Sequence, residues 1–377
     1  MKSLSSFNLG LSILSLCTAL ATAAESNDPI LFTFATVGDS RADAANPELS
    51  AHDKIWLQNT KVLSRMIREI QERRPDALFF NGDMIMGYTT NTNVLNRQYA
   101  YWRGMVSALL ETGTYVVPVP GNHEMQVKLP GLNKEADPIK IAQRECENNW
   151  RENMGDLILD TNLWEQLSKK KIYAWNAEHA PQCGSADPIQ SDQRQLTFSF
   201  DCAQVHIAVI NTDAFGNDSH APVHWLANDL GRARARGCQR SFVFGHKMAF
   251  SYHFGAKTKA KGLDADPDHA AAFWKVIADF DATYFCGHEH IYHSSQPDFS
   301  GNTHPWQIIV GSGGSPFDAK PGDSANVNDR KYVWALVHVY RSGRVVLESY
   351  GFDEQFAPTE LIEKIELHDR ILGTTGK

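Results

Sequence analysis

No segment of this sequence reaches the ~20 apolar residues that a helix needs to cross a bilayer; the run at residues 9–20 falls short. A spanning architecture is therefore excluded from the expectations. Basic residues are in the minority, 36 against 44 acidic ones, so the chain has no electrostatic pull toward nucleic acid or anionic lipid. No nucleic-acid-binding surface is expected. Cysteine is sparse, at six in 377 residues, and no internal repeat punctuates the chain. What is abundant is core material: 42% of residues are hydrophobic and 10% aromatic, which excludes a disordered chain and supplies one large α/β domain or two ordinary ones.

The N-terminus carries Lys2, the apolar run and then Ala21-Thr22-Ala23, the order of a cleaved signal peptide. Residues 1–24 are read as that leader and the protein as exported, periplasmic or secreted, with no stable membrane anchor. Leu16 before Cys17 argues against lipoprotein processing. Loss of Lys2 leaves 35 basic and 44 acidic residues, a formal charge of −9, so a small phosphorylated substrate fits better than a polymer. The remaining cysteines are Cys146, Cys183, Cys202, Cys238 and Cys286. An odd count in an oxidising compartment predicts up to two disulfides, with Cys202–Cys238 and Cys146–Cys183 as eligible pairs and Cys286 a buried thiol. The sequence does not set the pairing or the oligomeric state.

Along the chain, strand-like and helix-like runs alternate. Residues 31–37, 77–80 and 115–119 read as buried strands; Ile55, Val62, Met66, Ile67 and Ile70 mark an amphipathic helix over 53–72, and another helix covers 96–110. Alternation predicts an α/β fold with strands packed in layers and helices outside. Residues 125–194, broken by Pro130, Pro138, Pro181 and Pro188, read as an insertion over the site, with a helical piece at 139–153. Strands resume at 195–200, 205–211 and 241–244, with a helix at 223–235. Residues 306–310, 332–340 and 344–350 read as strands of a second sheet, and 25–353 as the domain; the tail from 354 to 377 reads as helix or disordered.

Five short polar clusters each follow a strand: Gly38-Asp39-Ser40-Arg41, Gly82-Asp83, Gly121-Asn122-His123-Glu124, Gly245-His246 and Gly287-His288-Glu289-His290. Two carboxylates, an amide and four imidazoles are the donor inventory of a two-metal hydrolytic site. Asp83 is the natural bridge, since a carboxylate has an oxygen for each ion. Asp39 and Asn122 supply one oxygen each, and His246, His288 and His290 supply nitrogens suited to zinc, iron or manganese. His123 has a separate use, because a leaving oxygen needs a proton and an imidazole supplies one near neutral pH.

Taken together, the clusters make the chain resemble the calcineurin-like metallophosphoesterases, the superfamily of purple acid phosphatases and phosphodiesterases, from about residue 31 to 350. The resemblance implies a layered β-sandwich of two mixed sheets flanked by helices, a four-layer fold. It also implies two divalent or trivalent ions (Mn, Fe or Zn): Asp39 and His290 on one, Asn122, His246 and His288 on the other, Asp83 between them. His123 is then the general acid, and a bridging hydroxide attacks a small phosphoester. The run from Gly287 to Tyr292 is similar to the purple-acid-phosphatase-like branch, which expects a tyrosine three positions after Asp83. Met86 stands there, with Tyr88 two residues on.

The resemblance also implies a metal-binding histidine at the position where this sequence has Arg41. Three readings are open: a guanidinium that grips phosphate, a partner that locks a carboxylate, or the remnant of a decayed site. The last leads to a rival function, a catalytically impaired one-metal homologue that binds phosphorylated ligands. His253 and His293 read as rim or core residues, and His206, His224, His269, His304 and His338 as structural. The Arg232–Arg236 alternation complements a helix end, and Gly311-Ser312-Gly313-Gly314, with no Lys-Ser/Thr after it, reads as a loop beside the metal site rather than a phosphate loop.

Overall fold

A computed structural model describes residues 28–42, 52–53, 58–131, 138–252, 260–297, 304–320, 322, 326–369 and 371. The leader, Ile55, His253 and the last tail residues, 372–377, lie outside them. The first third of the chain gives β1 (Ile30–Val37), α1 (Thr60–Arg73), β2 (Ala77–Phe80), α2 (Thr92–Glu111) and β3 (Tyr115–Pro118). A short helix, α3 (Asn122–Met125), then leads into the hairpin β4 (Gln126–Leu129) and β5 (Ile139–Ala142), followed by α4 (Arg144–Met154), α5 (Thr161–Ser168) and β6 (Ile172–Tyr173). The second half supplies β7 (Phe198–Cys202), β8 (Val205–Val209), α6 (Val223–Ala235), β9 (Arg240–Phe244), α7 (Pro267–Asp279), β10 (Thr283–Cys286), β11 (Tyr292–Ser295), β12 (Gln307–Val310), β13 (Tyr332–Tyr340), β14 (Val345–Phe352) and β15 (Glu360–His368).

The strands form two mixed sheets, six-stranded β15-β14-β13-β1-β2-β3 and seven-stranded β11-β12-β10-β9-β8-β7-β6. Side chains alternate across each strand. In β9, Phe242 and Phe244 turn toward the opposite sheet, whereas Val243 packs with Trp274 and Leu226 under α6 and α7. The seam between the sheets is aromatic. Phe79 of the first sheet stacks on Phe244 of the second at 4.0 Å, Phe244 stacks on Phe285 at 5.2 Å, and Phe34 meets all three edge-on. Helices outside two sheets give the four-layer α/β sandwich, in which both inner faces interdigitate as a single core.

Several boundaries differ from the sequence reading. The first helix starts at Thr60 rather than 53, because the Asn59 side chain caps it through Val62 N–H and His52–Asp53 pair with Gln58–Asn59. Residues 139–153 split into β5 and α4. The three C-terminal strands do not share one sheet: β12 joins the second beside β10, whereas β13 returns to the first beside β1 and β14 pairs outside β13. The tail is neither helix nor disorder through His368; it forms edge strand β15, whose Glu360, Glu363, Lys364 and Glu366 are the charges that blunt a sheet edge. All five described cysteines are free thiols, so neither expected disulfide forms. Cys202 and Asp201 point to opposite faces of β7, and the Cys238 thiol lies against Asp201, on the side away from Cys202.

His206 is structural, as expected. Its Nδ1 lies 2.7 Å from Asp201 and its Nε2 2.9 Å from Asp229, whose other oxygen is 2.9 Å from His179 and accepts from Ser199. Among the described residues, no helix is long and apolar enough to cross a membrane.

Candidate metal centre

Every cluster sits at the carboxyl end of a parallel strand, where open α/β sheets present their loops to ligands. Asp39 and Arg41 follow β1, Asp83 follows β2 and Asn122 and His123 follow β3, all from the first sheet; His246 follows β9 and His288 and His290 follow β10, from the second. The two sheets thus meet at the site, each contributing half of it. The turns are tight enough to force Asp39 (φ 62°), Asp83 (φ 51°) and His288 (φ 71°) into the left-handed region, a strained conformation that clusters at functional sites. Glycine is obligatory beside them. Gly82 has φ +83°, and a Cβ on it would stand 2.6 Å from His246 Nδ1.

Two groups of donors lie within 4.8 Å of one another: Asp83, His246 and His288 in one, and Asp39, Asp83 and His290 in the other. Asp83 belongs to both. In the first group, His246 Nδ1 lies 2.7 Å from the Asn81 carbonyl and donates to it, which leaves Nε2 as the nitrogen that a metal or a proton can occupy. That nitrogen faces three further acceptors: Asp83 Oδ1 at 3.1 Å, Asn122 Oδ1 at 3.0 Å and His288 Nδ1 at 3.2 Å. Potential ligand atoms of four residues converge here around the Asp83 charge, so this donor set fits a metal ion. Burial lowers the basicity of His246, but Asp83 and then Asp39 outweigh it and push the imidazole up to about 10, the same demand for positive charge met by a proton.

The second group is built differently. Asp39 Oδ2 accepts the His288 N–H at 3.0 Å, while its Oδ1 is buried with no hydrogen-bond partner and lies 3.7 Å from His290 Nε2. Burial, reinforced by Asp83, raises the Asp39 carboxyl well above the usual carboxylate range even though His246 and Arg41 act against it. Burial also opposes ionisation of Asp83, yet His123, His246 and Arg41 around it hold that carboxyl well below its ordinary value. His290 Nδ1 donates to the Pro316 carbonyl at 2.5 Å and its backbone N–H to Asp318. Arg41 intrudes here, with its Nε 3.6 Å from Asp83 Oδ2 and a terminal nitrogen 3.4 Å from His290 Nε2.

His123 is buried beside the same centre. Its Nδ1 donates to the Met86 carbonyl at 2.6 Å, which turns Nε2 toward Asp83 Oδ2 at 3.6 Å. Burial and then Arg41 hold it well below its usual range, with Asp83 acting in the opposite sense. Tyr88 does not substitute for the missing tyrosine at the Asp39–His290 position. Its hydroxyl accepts from Asn122 Nδ2 at 2.5 Å and its ring lies 3.8 Å from that of His123, on the other side of the centre.

Reading the clusters by donor type missed the residues that hold them. Glu124, fully buried, accepts backbone N–H groups of Gly121, Asp83, Met84 and Ile85. Glu289 accepts the Tyr252 N–H, and Asp318 that of His290. Gly313 donates to the Gly38 carbonyl and Ser315 to that of Asp39, so the Gly311–Gly314 loop lies against the site as expected. The His293 ring lies 4.5 Å from that of Tyr252, tilted at 53°.

A family model described as calcineurin-like phosphoesterase matches residues 51–292. That stretch begins after the Asp39–Arg41 cluster and includes the other four. Among solved structures, a purple acid phosphatase, PPD1, from yellow lupin (Lupinus luteus) seeds is similar with a TM-score of 0.52 and 11% identity, over 88% of this chain and 53% of that one. PhoD is similar with a TM-score of 0.51 and 15% identity, over 88% and 71%. The chain spans about half the length of the lupin protein, and likeness at these identities shows the fold. No curated protein sequence matches the chain.

Proposed function

The chain belongs to the calcineurin-like phosphoesterase family, and from that premise we propose that it is a metal-dependent hydrolase of small phosphoesters. The observation that carries the reading is the convergence on His246 Nε2 of Asp83 Oδ1, Asn122 Oδ1 and His288 Nδ1, all within 3.2 Å. Those four residues would hold one ion; Asp39, Asp83 and His290 are the donors for a second in the dinuclear version. Bound cations of this kind supply Lewis acidity to phosphoryl oxygens and acidify an attacking water.

The protein's own residues do the rest. Arg41 presents donors of a shape that matches phosphoryl oxygens. His123, its tautomer set by Met86, aims Nε2 into the cleft to protonate the leaving oxygen. The acidic balance of the chain and the leader at residues 1–24 support a small substrate met outside the cytoplasm; N-terminal sequencing of exported protein tests the latter.

The functional test is a panel of nucleotides, sugar phosphates and aryl mono- and diesters, assayed on metal-stripped protein and after manganese or zinc is returned. Turnover restored by metal is expected. Metal uptake without hydrolysis of any ester would replace this reading with the binding-only one.

A further inference from the structure

We infer that the guanidinium of Arg41 is the resident cation of the Asp39–Asp83–His290 position, so that the working centre pairs one metal ion with one fixed organic charge. The inference rests on the metal-dependent reading above and deepens it, since it says what the second position holds. Asp83 still bridges two positive charges: its Oδ1 faces the His246 side at 3.1 Å and its Oδ2 faces Arg41 Nε at 3.6 Å.

Arg41 is aimed there by its backbone. Its N–H donates to the Asp83 carbonyl at 3.3 Å, its carbonyl accepts from Ser315 Oγ at 3.0 Å, and it bridges to Gln58. The side chain is only 16% exposed. His290 completes the fit, because with Nδ1 donating to Pro316 its Nε2 is an acceptor, and the guanidinium nitrogen 3.4 Å away is a donor. A histidine poised to ligate a metal is thus engaged by an arginine instead.

A metal and this arginine compete for the same space. A ligand bond of ~2.1 Å to nitrogen does not fit inside that 3.4 Å gap unless the guanidinium withdraws. A guanidinium offers no lone pair and stays charged, so it repels any ion entering beside it. Arg41 Nε is also buried without a hydrogen-bond partner. Nε is turned to Asp83, but the five N–H donors of a guanidinium outnumber the acceptors Asp83 and His290, which leaves terminal N–H groups for a phosphoryl oxygen and makes Arg41 both the second cation and the substrate's anchor.

Metal titration of the stripped protein, by calorimetry with elemental analysis, tests this without reference to activity. Wild type should take up one manganese or zinc ion tightly and a second about 100-fold more weakly. Asp39→Asn should leave the tight ion in place, and His246→Ala should lose it. Arg41→Ala and Arg41→His should strengthen the second ion while the first is unchanged, and Arg41→Ala should raise KM more than it lowers kcat. Two ions of equal affinity in wild type overturn the inference and leave the hydrolase reading standing. No bound ion in wild type overturns both.

Discussion

The Glu124 carboxylate accepts the backbone N–H of Asp83 at 2.9 Å, from a position 41 residues later in the chain. It also takes the amides of Met84, Ile85 and Gly121, so one buried side chain sets the loop that aims the shared ligand. Glu124→Gln turns an N–H₂ toward those donors. We expect a stability loss on the order of 3 kcal/mol and a metal affinity about 10–100-fold weaker, read by thermal unfolding and metal titration. Unchanged affinity would show that the loop keeps its shape without the carboxylate.

His123→Ala should keep its metal, because the imidazole lies beside the donor set rather than in it. Turnover should fall about 10²–10⁴-fold for alkyl phosphates, whose leaving oxygens need a proton, and much less for nitrophenyl esters. Equal losses on both substrates would assign His123 to positioning.

Gly82→Ala puts a Cβ 2.6 Å from His246 Nδ1 and 2.8 Å from Gly121 Cα at a φ of +83°. Both the strain and the clash bear on the ring that donates to Asn81. The variant should fold with a lowered melting temperature and bind metal at least about tenfold more weakly. Wild-type metal affinity in a folded Gly82→Ala protein would mean that the loop yields freely.

The His206 network predicts a pH dependence away from the metal. Burial lowers the basicity of His206, but hydrogen bonds to Asp201 and Asp229 outweigh it and raise it above its ordinary value. A raised histidine contributes fully below its unfolded value of ~6.5 and loses that contribution as pH climbs through the folded value. Its partners run the other way: Asp201 is pulled down to about 2, against the opposing effect of burial, by His206 and Arg236. The melting-temperature difference between wild type and His206→Asn should be largest near pH 5–6 and shrink in alkaline buffer. A difference that grows with pH would show that His206 is buried neutral.

The site was more legible in the sequence than the sheets that build it. Asp39, Asp83, Asn122, His246, His288 and His290 stand out because five Gly-led donor clusters each follow a strand, a combination that single Gly-Asp or Gly-His turns would not make notable, and all six converge. The split of β12 from β13 left no trace, since both are apolar runs and register is set by partners far away in the chain. The edge strand β15 reads as a helix or tail because its charged residues answer to solvent along an open edge. Glu124 escaped notice for a related reason: three of the amides it serves lie on a loop about 40 residues upstream.

The place of β1 between β2 and β13 has a consequence for when the protein can work at all. Ile30 pairs with Tyr340 and Thr36 with Ala335, so the strand that carries Asp39 and Arg41 stays open along one side until the chain's last strands have been synthesised. Contacts spanning some three hundred residues close slowly, because the loop entropy comes due before the pairing energy is gained. The edge of β1 is therefore completed only once β13 has been made, and a chain ending before Tyr332 would carry every candidate ligand with that edge unpaired.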